Sequence, residues 1–333
     1  MTIAPSKPIA EIIDTNRYCL VRKIADGGMG SVYEAILHGA EGFQKVVAVK
    51  TILEEYSSNP EFIGMFIGEA KLVADLVHQN IVQIYQLGRF GRLYYMAMEY
   101  IKGVNLQQFI ERHRQIERKV PVDLGVFIIS RICRGLEYAH KKRDKDGNFL
   151  GVVHRDISPK NLMISSEGEV KITDFGIAKA SNLMADREGE VLLGKIRYMS
   201  PEQFELAPTD RRSDLYSLAV VMYELLTGTG LYSSGDRQTI FKERRQGVVH
   251  APRDINMDIP EAAERIILKG LQYDVSDRYQ KASEMAYDLE YFLYHKGYGP
   301  TIRTLEEYMS SLFPTIYVPE SDEPDTDPEG KTS

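Results

Sequence analysis

The hydrophobic period of this 333-residue chain changes once, close to Gly103. Before that point β-branched and aromatic residues alternate with polar ones in short runs, at 18–24, 31–36, 46–53, 81–87 and 93–98, the pattern of half-buried strands. One helical pattern interrupts them, with Phe62, Phe66, Val73 and Val77 recurring at helical spacing between Asn59-Pro60 and His78. Beyond Gly103 helices take over. Leu124, Phe127, Ile128, Ile132, Leu136 and Ala139 share a face, and helical patterns recur at 212–227, 260–272 and 281–295, with one short strand at 170–173. A small strand-rich unit with a single helix, followed by a larger helical unit, is an α+β, bilobal architecture. No internal repeat is present.

Composition narrows the function classes. Apolar residues make up 43% and charged residues 27%, as in a globular protein with a full core. A net charge of −7 argues against a broad nucleic-acid surface. The longest apolar run, 215–226, is broken by Ser217 and Glu224 and is too short to span a bilayer, so it reads as a buried core helix. No signal peptide is legible at the N-terminus, and Cys19 and Cys133 are too few for a disulfide scaffold. A reducing cytoplasm, with no membrane partner, is the expected setting. Residues 1–14 and the acidic stretch 319–333 read as unstructured, flanking units at 15–102 and 103–297 and a helical extension at 298–318.

Two features of the first unit suit a nucleotide. Ile24-Ala25-Asp26-Gly27-Gly28-Met29-Gly30-Ser31-Val32-Tyr33 lies between two strand patterns. Glycines let a backbone approach phosphate oxygens closely, because no Cβ holds the ligand off. A tight hairpin turn needs the same residues, so this stretch alone does not choose. Val47-Ala48-Val49-Lys50 closes the next strand pattern. Alternation places Ala48 and Lys50 on one face, where Ala48 leaves room for a flat base and Lys50 reaches toward phosphates. The chain contains no Walker A pattern, which disfavours a P-loop NTPase.

The second unit carries His154-Arg155-Asp156-Ile157-Ser158-Pro159-Lys160-Asn161, then Asp174-Phe175-Gly176, then Ser200-Pro201-Glu202. With the glycine loop and Lys50 in this order, the chain resembles the bacterial eukaryotic-like serine/threonine protein kinases over about 17–294. The resemblance implies transfer of the γ-phosphoryl group of ATP to protein hydroxyls, with Mg²⁺ (or Mn²⁺) as the metal. It implies Asp156 as the residue that orients the substrate hydroxyl, Asn161 and Asp174 as metal ligands, and Glu69 as the carboxylate that orients Lys50. The implied nucleotide pocket comprises Ile24, Gly27, Gly28, Met29, Gly30, Val32, Ala48, Lys50, Met98, Glu99, Ile101 and Met163, with Met98 to Ile101 as the hinge and Met98 as gatekeeper. Asp214 would anchor the catalytic-loop backbone, and Glu202 would pair with Arg278 as a structural element. Protein substrates are the implied partners. The extension at 298–318 either packs back on the large unit or seats a regulatory partner or a second copy.

Three departures from the family pattern matter. Ala25 replaces the first glycine of the loop. Ser158 stands where a Lys would contact the transferred phosphate, and Lys195 stands where a Thr would meet that Lys. Lys195, with Lys160 as runner-up, is therefore expected to supply the missing positive charge. Between Gly176 and Tyr198 there is no Thr to be phosphorylated opposite Arg155, and Glu188 or Glu190 is expected to substitute. Two other readings stay open: a nucleotide-binding pseudokinase, and tyrosine specificity, since Lys160 and the missing Thr resemble tyrosine kinases. Finally, Lys141-Lys142-Arg143-Asp144-Lys145-Asp146-Gly147-Asn148 reads as a solvated hairpin-like insert before the catalytic loop.

Overall fold

The computed structural model describes residues 9–27, 30–52, 56, 59–175, 196–232, 237–245, 247 and 249–317. Gly28, Met29, Lys195, Glu188, Glu190 and the acidic stretch 319–333 lie outside the described residues.

The strand-rich unit is a six-stranded antiparallel sheet in the order β1-β2-β3-β4-β6-β5. Its strands are β1 Ala10–Ile13, β2 Arg17–Gly27, β3 Gly30–His38, β4 Gln44–Ile52, β5 Ile84–Phe90 and β6 Leu93–Glu99. Cross-strand pairing puts Val32 opposite Lys50, Lys50 opposite Met96 and Ala48 opposite Met98, so these side chains share one face. The other face carries its own small core of Ile12, Tyr18, Leu20, Ala35, Val47, Val49, Tyr95 and Ala97. That core explains a correction: Ala10–Ile13 form an edge strand, where an unstructured segment was expected over 1–14. Four residues are too short a run to show a period, yet Ile12 is buried once β2 is beside it.

Helix α1, Pro60–Ala74, crosses the Lys50 face. Asn59 caps it by accepting from the Glu61 N–H, and Pro60 occupies the first turn, where its missing N–H costs nothing. Phe66 and Ala70 pack on Ile52 and Met96, which fixes the azimuth of the helix and turns Glu69 inward. Val77 falls outside this pattern: the helix ends at Ala74 and Val77 is 68% exposed.

The helical unit begins with β7 Gly103–Asn105, α2 Leu106–Gln115 and α3 Val122–His140. Strands β8 Leu162–Ser165 and β9 Val170–Ile172 complete a three-stranded sheet with β7 beneath the cleft. Then follow α4 Pro201–Phe204, α5 Arg211–Thr227, α6 Arg237–Arg245, α7 Pro252–Ile255, α8 Glu261–Gly270, α9 Ala282–Tyr294 and α10 Ile302–Leu312. As expected from its apolar sequence, α5 is buried on nearly all sides, and it forms the centre of the larger core. No helix among the described residues is long and apolar enough to cross a membrane. Both cysteines are buried and free.

The C-terminal extension packs back on the large unit. Leu305, Met309 and Leu312 of α10 join the main core, and His113 of α2 meets the Tyr308 hydroxyl at 2.7 Å. The fit is close: a Cβ on Gly168, whose φ is +76°, would lie 2.2 Å from the Ile302 carbonyl oxygen. The insert after α3 is a small turn, with the Asp144 carboxylate accepting from the Asp146 and Asn148 N–H groups. Lys142 at its base reaches the first unit and donates to Asp75 O just past the end of α1.

Candidate active site

The cleft between the two units is built from residues far apart in sequence. Lys50, at the inner end of β4, is buried and lies 3.5 Å from Glu69 of α1 and 2.5 Å from Asp174, which follows β9. Burial alone would depress the Lys50 pKa, but Asp174 and then Glu69 outweigh it and hold the pKa above its ordinary value. For Glu69 burial wins over the pull of Lys50, and its carboxyl is pushed up to about 7. The Glu69 Oε2 atom is buried without a hydrogen-bond partner, consistent with a carboxyl that gains little from ionising.

The backbone of the catalytic stretch is fixed from below. The buried Asp214 carboxylate of α5 accepts from the N–H groups of His154 (2.9 Å) and Arg155 (2.8 Å), and from His140 Nε2 (2.8 Å). Burial works against its charge, yet these donors, His140 foremost, hold its pKa below the usual value. Arg155 adopts φ +64°, a conformation that costs a β-substituted residue energy and persists only when its surroundings impose it. The His154 ring donates from Nε2 to Thr173 O, accepts the Asp156 N–H on Nδ1, and packs 4.6 Å from the Phe175 ring.

Asp156 is half-buried at the cleft floor, and Asn161 Nδ2 donates to its carbonyl oxygen at 2.8 Å. The Asn161 carbonyl in turn accepts from Thr173 N, so Asp156, Asn161 and Asp174 are tied into one backbone network. Asn161 and Asp174 offer an amide oxygen and a carboxylate, a hard-oxygen pair that suits Mg²⁺, which keeps several waters and takes few protein ligands. No cluster of three or more His, Cys, Asp or Glu metal ligands occurs among the described residues.

Ala48, Met98 and Val32 share the Lys50 face of the sheet, and Met163 is half-buried on β8 opposite Lys171. Ile24 lies at a bulge in the β2–β3 pairing and is 42% exposed. Gly27 and Gly30 form the closing pair of that hairpin. Gly30 has a packing reason to be glycine, since a Cβ there would lie 2.1 Å from the Thr51 carbonyl oxygen. Glu99 and Ile101 lie where the chain leaves β6 for the second unit. Lys160 is exposed in the 3-10 turn Pro159–Asn161, while Ser158 is buried.

Some supporting residues had no signal in the sequence. Lys171 is buried and pairs with Glu99 at 2.6 Å, joining the hinge to β9. Gln203 donates to Arg155 O at 2.7 Å, and His140 holds Asp214. The expected Glu202–Arg278 pair is present, bidentate at 2.9 Å for both bonds and further held by the Ser213 hydroxyl.

A family model described as the protein kinase domain matches residues 18–292. The chain belongs to the protein kinase family. It is 40% identical over 296 residues to the tyrosine-protein kinase MasK of Myxococcus xanthus, covering 89% of this chain and 46% of MasK. It is 34% identical over 278 residues to the serine/threonine-protein kinase PrkC of Bacillus subtilis, covering 83% of this chain and 40% of PrkC. The chain thus spans less than half the length of these curated relatives. Among solved structures, the PknI kinase domain of Mycobacterium tuberculosis matches with a TM-score of 0.60 at 22% identity, over 87% of this chain and 99% of that one, a likeness of fold. The chain has the bilobal protein kinase fold.

Proposed function

We propose that this kinase transfers the γ-phosphoryl group of Mg-ATP to serine and threonine hydroxyls of protein substrates. The observation that carries the reading is the joint fixing of Asp156, Asn161 and Asp174 by Asp214 and the His154 ring, with Lys50 held beside Asp174. Asp156 orients the acceptor hydroxyl and takes its proton as the phosphoryl group is transferred. Lys50 binds the nucleotide phosphates, and Glu69 limits where its ammonium can go. The alanine at 48 leaves room for the base, and Met98, Glu99 and Ile101 border it at the hinge. Asn161 and Asp174 would hold Mg²⁺, which when bound neutralises phosphate charge. Because Ser158 lacks a charge, this reading assigns the cation for the transferred group to Lys195, with Lys160 as runner-up.

Serine/threonine specificity is favoured by Pro159 and by the stretch Tyr198-Met199-Ser200-Pro201-Glu202-Gln203, which resemble those of the bacterial serine/threonine group. The 40% identity to a protein named as a tyrosine kinase favours the second reading, transfer to tyrosine. The two separate on phosphoamino-acid analysis of protein labelled with radioactive ATP and Mg²⁺, with Asp156→Asn as control. Phosphoserine or phosphothreonine that disappears in the variant supports the proposal. Phosphotyrosine alone would shift the reading to tyrosine, and the absence of any Asp156-dependent label would identify a pseudokinase.

A further inference from the structure

Arg244 of α6 is 5% exposed, and its hydrogen-bond partners among the described residues are a hydroxyl and two peptide oxygens, with no carboxylate. A buried guanidinium without a counter-ion is costly, and a well-packed apolar side chain would ordinarily be at least as stable in its place. Its contacts show what its fork is used for. Nη2 donates to two successive peptide oxygens, Ile196 O at 2.5 Å and Arg197 O at 3.2 Å. Nε donates to the Tyr232 hydroxyl at 2.9 Å, and that hydroxyl meets the Tyr216 hydroxyl of α5 at 2.6 Å. The guanidinium carbon lies 4.7 Å from the Tyr232 ring centroid and 5.3 Å from that of Phe204, so two aromatic faces offset part of its lost hydration. Nη1 is buried with no hydrogen-bond partner, so the site is not arranged to satisfy the arginine for its own sake.

The segment that Arg244 holds is anchored a second time, next to the catalytic residue. Ser200 and Gln203 form a capping box at the start of α4, and Gln203 Nε2 donates to Arg155 O, the residue before Asp156. Residues 196–203 therefore run between two fixed points, the catalytic loop at one end and α6 at the other. Turning the carbonyls of Ile196 and Arg197 down toward α6 sets the conformation of that strip. The side chain of Arg197 is exposed.

We propose that Arg244 is a positioning residue for the acceptor. By gripping the two carbonyls, it holds residues 196–197 in the shape that receives the protein substrate beside Asp156. Protein-substrate affinity then runs through α6, while nucleotide binding, assigned above to the Lys50 face of the first unit, does not. This rests on the phosphotransferase reading above and on the Gln203–Arg155 bond, which ties residues 196–203 to the residue before Asp156. A lysine retains the charge but cannot bond both carbonyls and Tyr232 at once.

The test is steady-state kinetics with a peptide selected by the wild-type kinase from a random library. Arg244→Met is expected to raise the peptide KM about tenfold, the loss of roughly one charge-assisted hydrogen bond's free energy, with ATP KM within about twofold of wild type. Arg244→Lys should fall between the two. Tyr232→Phe, which keeps the ring and removes one acceptor, should raise the peptide KM about threefold. It also keeps the test decisive if the Arg244 variants do not fold. An unchanged peptide KM in Tyr232→Phe and in any folded Arg244 variant overturns the proposal. So does a parallel rise in both KM values, or a fall in kcat alone, since each marks a general loss of structure. Failure of the wild type to select any peptide would instead overturn the phosphotransferase reading itself.

Discussion

Lys50 lies closer to Asp174 than to Glu69, at 2.5 Å against 3.5 Å, although Glu69 sits in the helix packed directly over its strand. One ammonium thus serves two carboxylates of different burial, with side-chain exposures of 4% for Glu69 and 39% for Asp174. Glu69 consequently carries the raised pKa, because it is desolvated and shares its cation.

That arrangement predicts a pH dependence of stability. The Glu69 carboxyl binds its proton more tightly in the folded protein, near pH 7, than at its ordinary value of 4.5. Its contribution is therefore full below pH 4.5 and is lost as pH rises toward 7, a change on the order of a few kcal/mol. Glu69→Gln should flatten the fall in melting temperature across that interval. A wild-type profile that rises instead between those pH values would contradict the assignment.

Asp214 predicts a separation of chemistry from nucleotide binding. Three donors converge on its buried carboxylate, two of them from the backbone just before Asp156. Asp214→Ala should lower kcat on the order of tenfold to a hundredfold by releasing Arg155 from its strained conformation, with ATP affinity changed only a few-fold. Isothermal titration with an ATP analogue beside turnover measurements checks this.

The Glu202–Arg278 pair should act on stability. The Arg278 side chain is 0% exposed, so removing Glu202 strands a buried cation. Glu202→Ala should cost about 3–5 kcal/mol in denaturant unfolding, whereas an exposed pair such as Arg303–Glu307 should contribute about 0–1 kcal/mol. Equal costs at the two sites would refute the ranking.

Gly168→Ala should loosen the C-terminal helix. Its Cβ would collide with Ile302 O and Glu306 N of α10, and its φ of +76° is unfavourable for alanine. A loss of about 1–3 kcal/mol is expected, together with faster hydrogen exchange confined to residues 302–312. Uniformly faster exchange throughout the large unit would point elsewhere.

Much of the fold was legible because the evidence for each element lies within a few residues. The alternation of Val47, Ala48, Val49 and Lys50 predicts which side chains share a face, and the structure pairs them accordingly. Reading failed where an element needed a neighbour. Val77 continued the helical spacing but falls beyond the end of α1, and Ala10–Ile13 became a strand only against β2. His140, Lys171 and Gln203 support the site through partners 74, 72 and 48 residues away, by numbering, which no local pattern records. The extension at 298–318 reads as helical in sequence, yet the sequence alone does not say what Leu305, Met309 and Leu312 pack against.

The sequence by itself determined the inventory and order of chemical groups: the glycine loop, Lys50, Glu69, Asp156, Asn161 and Asp174, and the change of period that separates two units. Local sterics and hydrophobic period suffice for that, since each reads only its neighbours. Tertiary structure decided which carboxylate Lys50 meets more closely, what the C-terminal helix covers, and that Arg244 is buried against the loop beside the catalytic residue. Those outcomes depend on contacts between distant segments, whose free energy appears only once the chain has closed around its core.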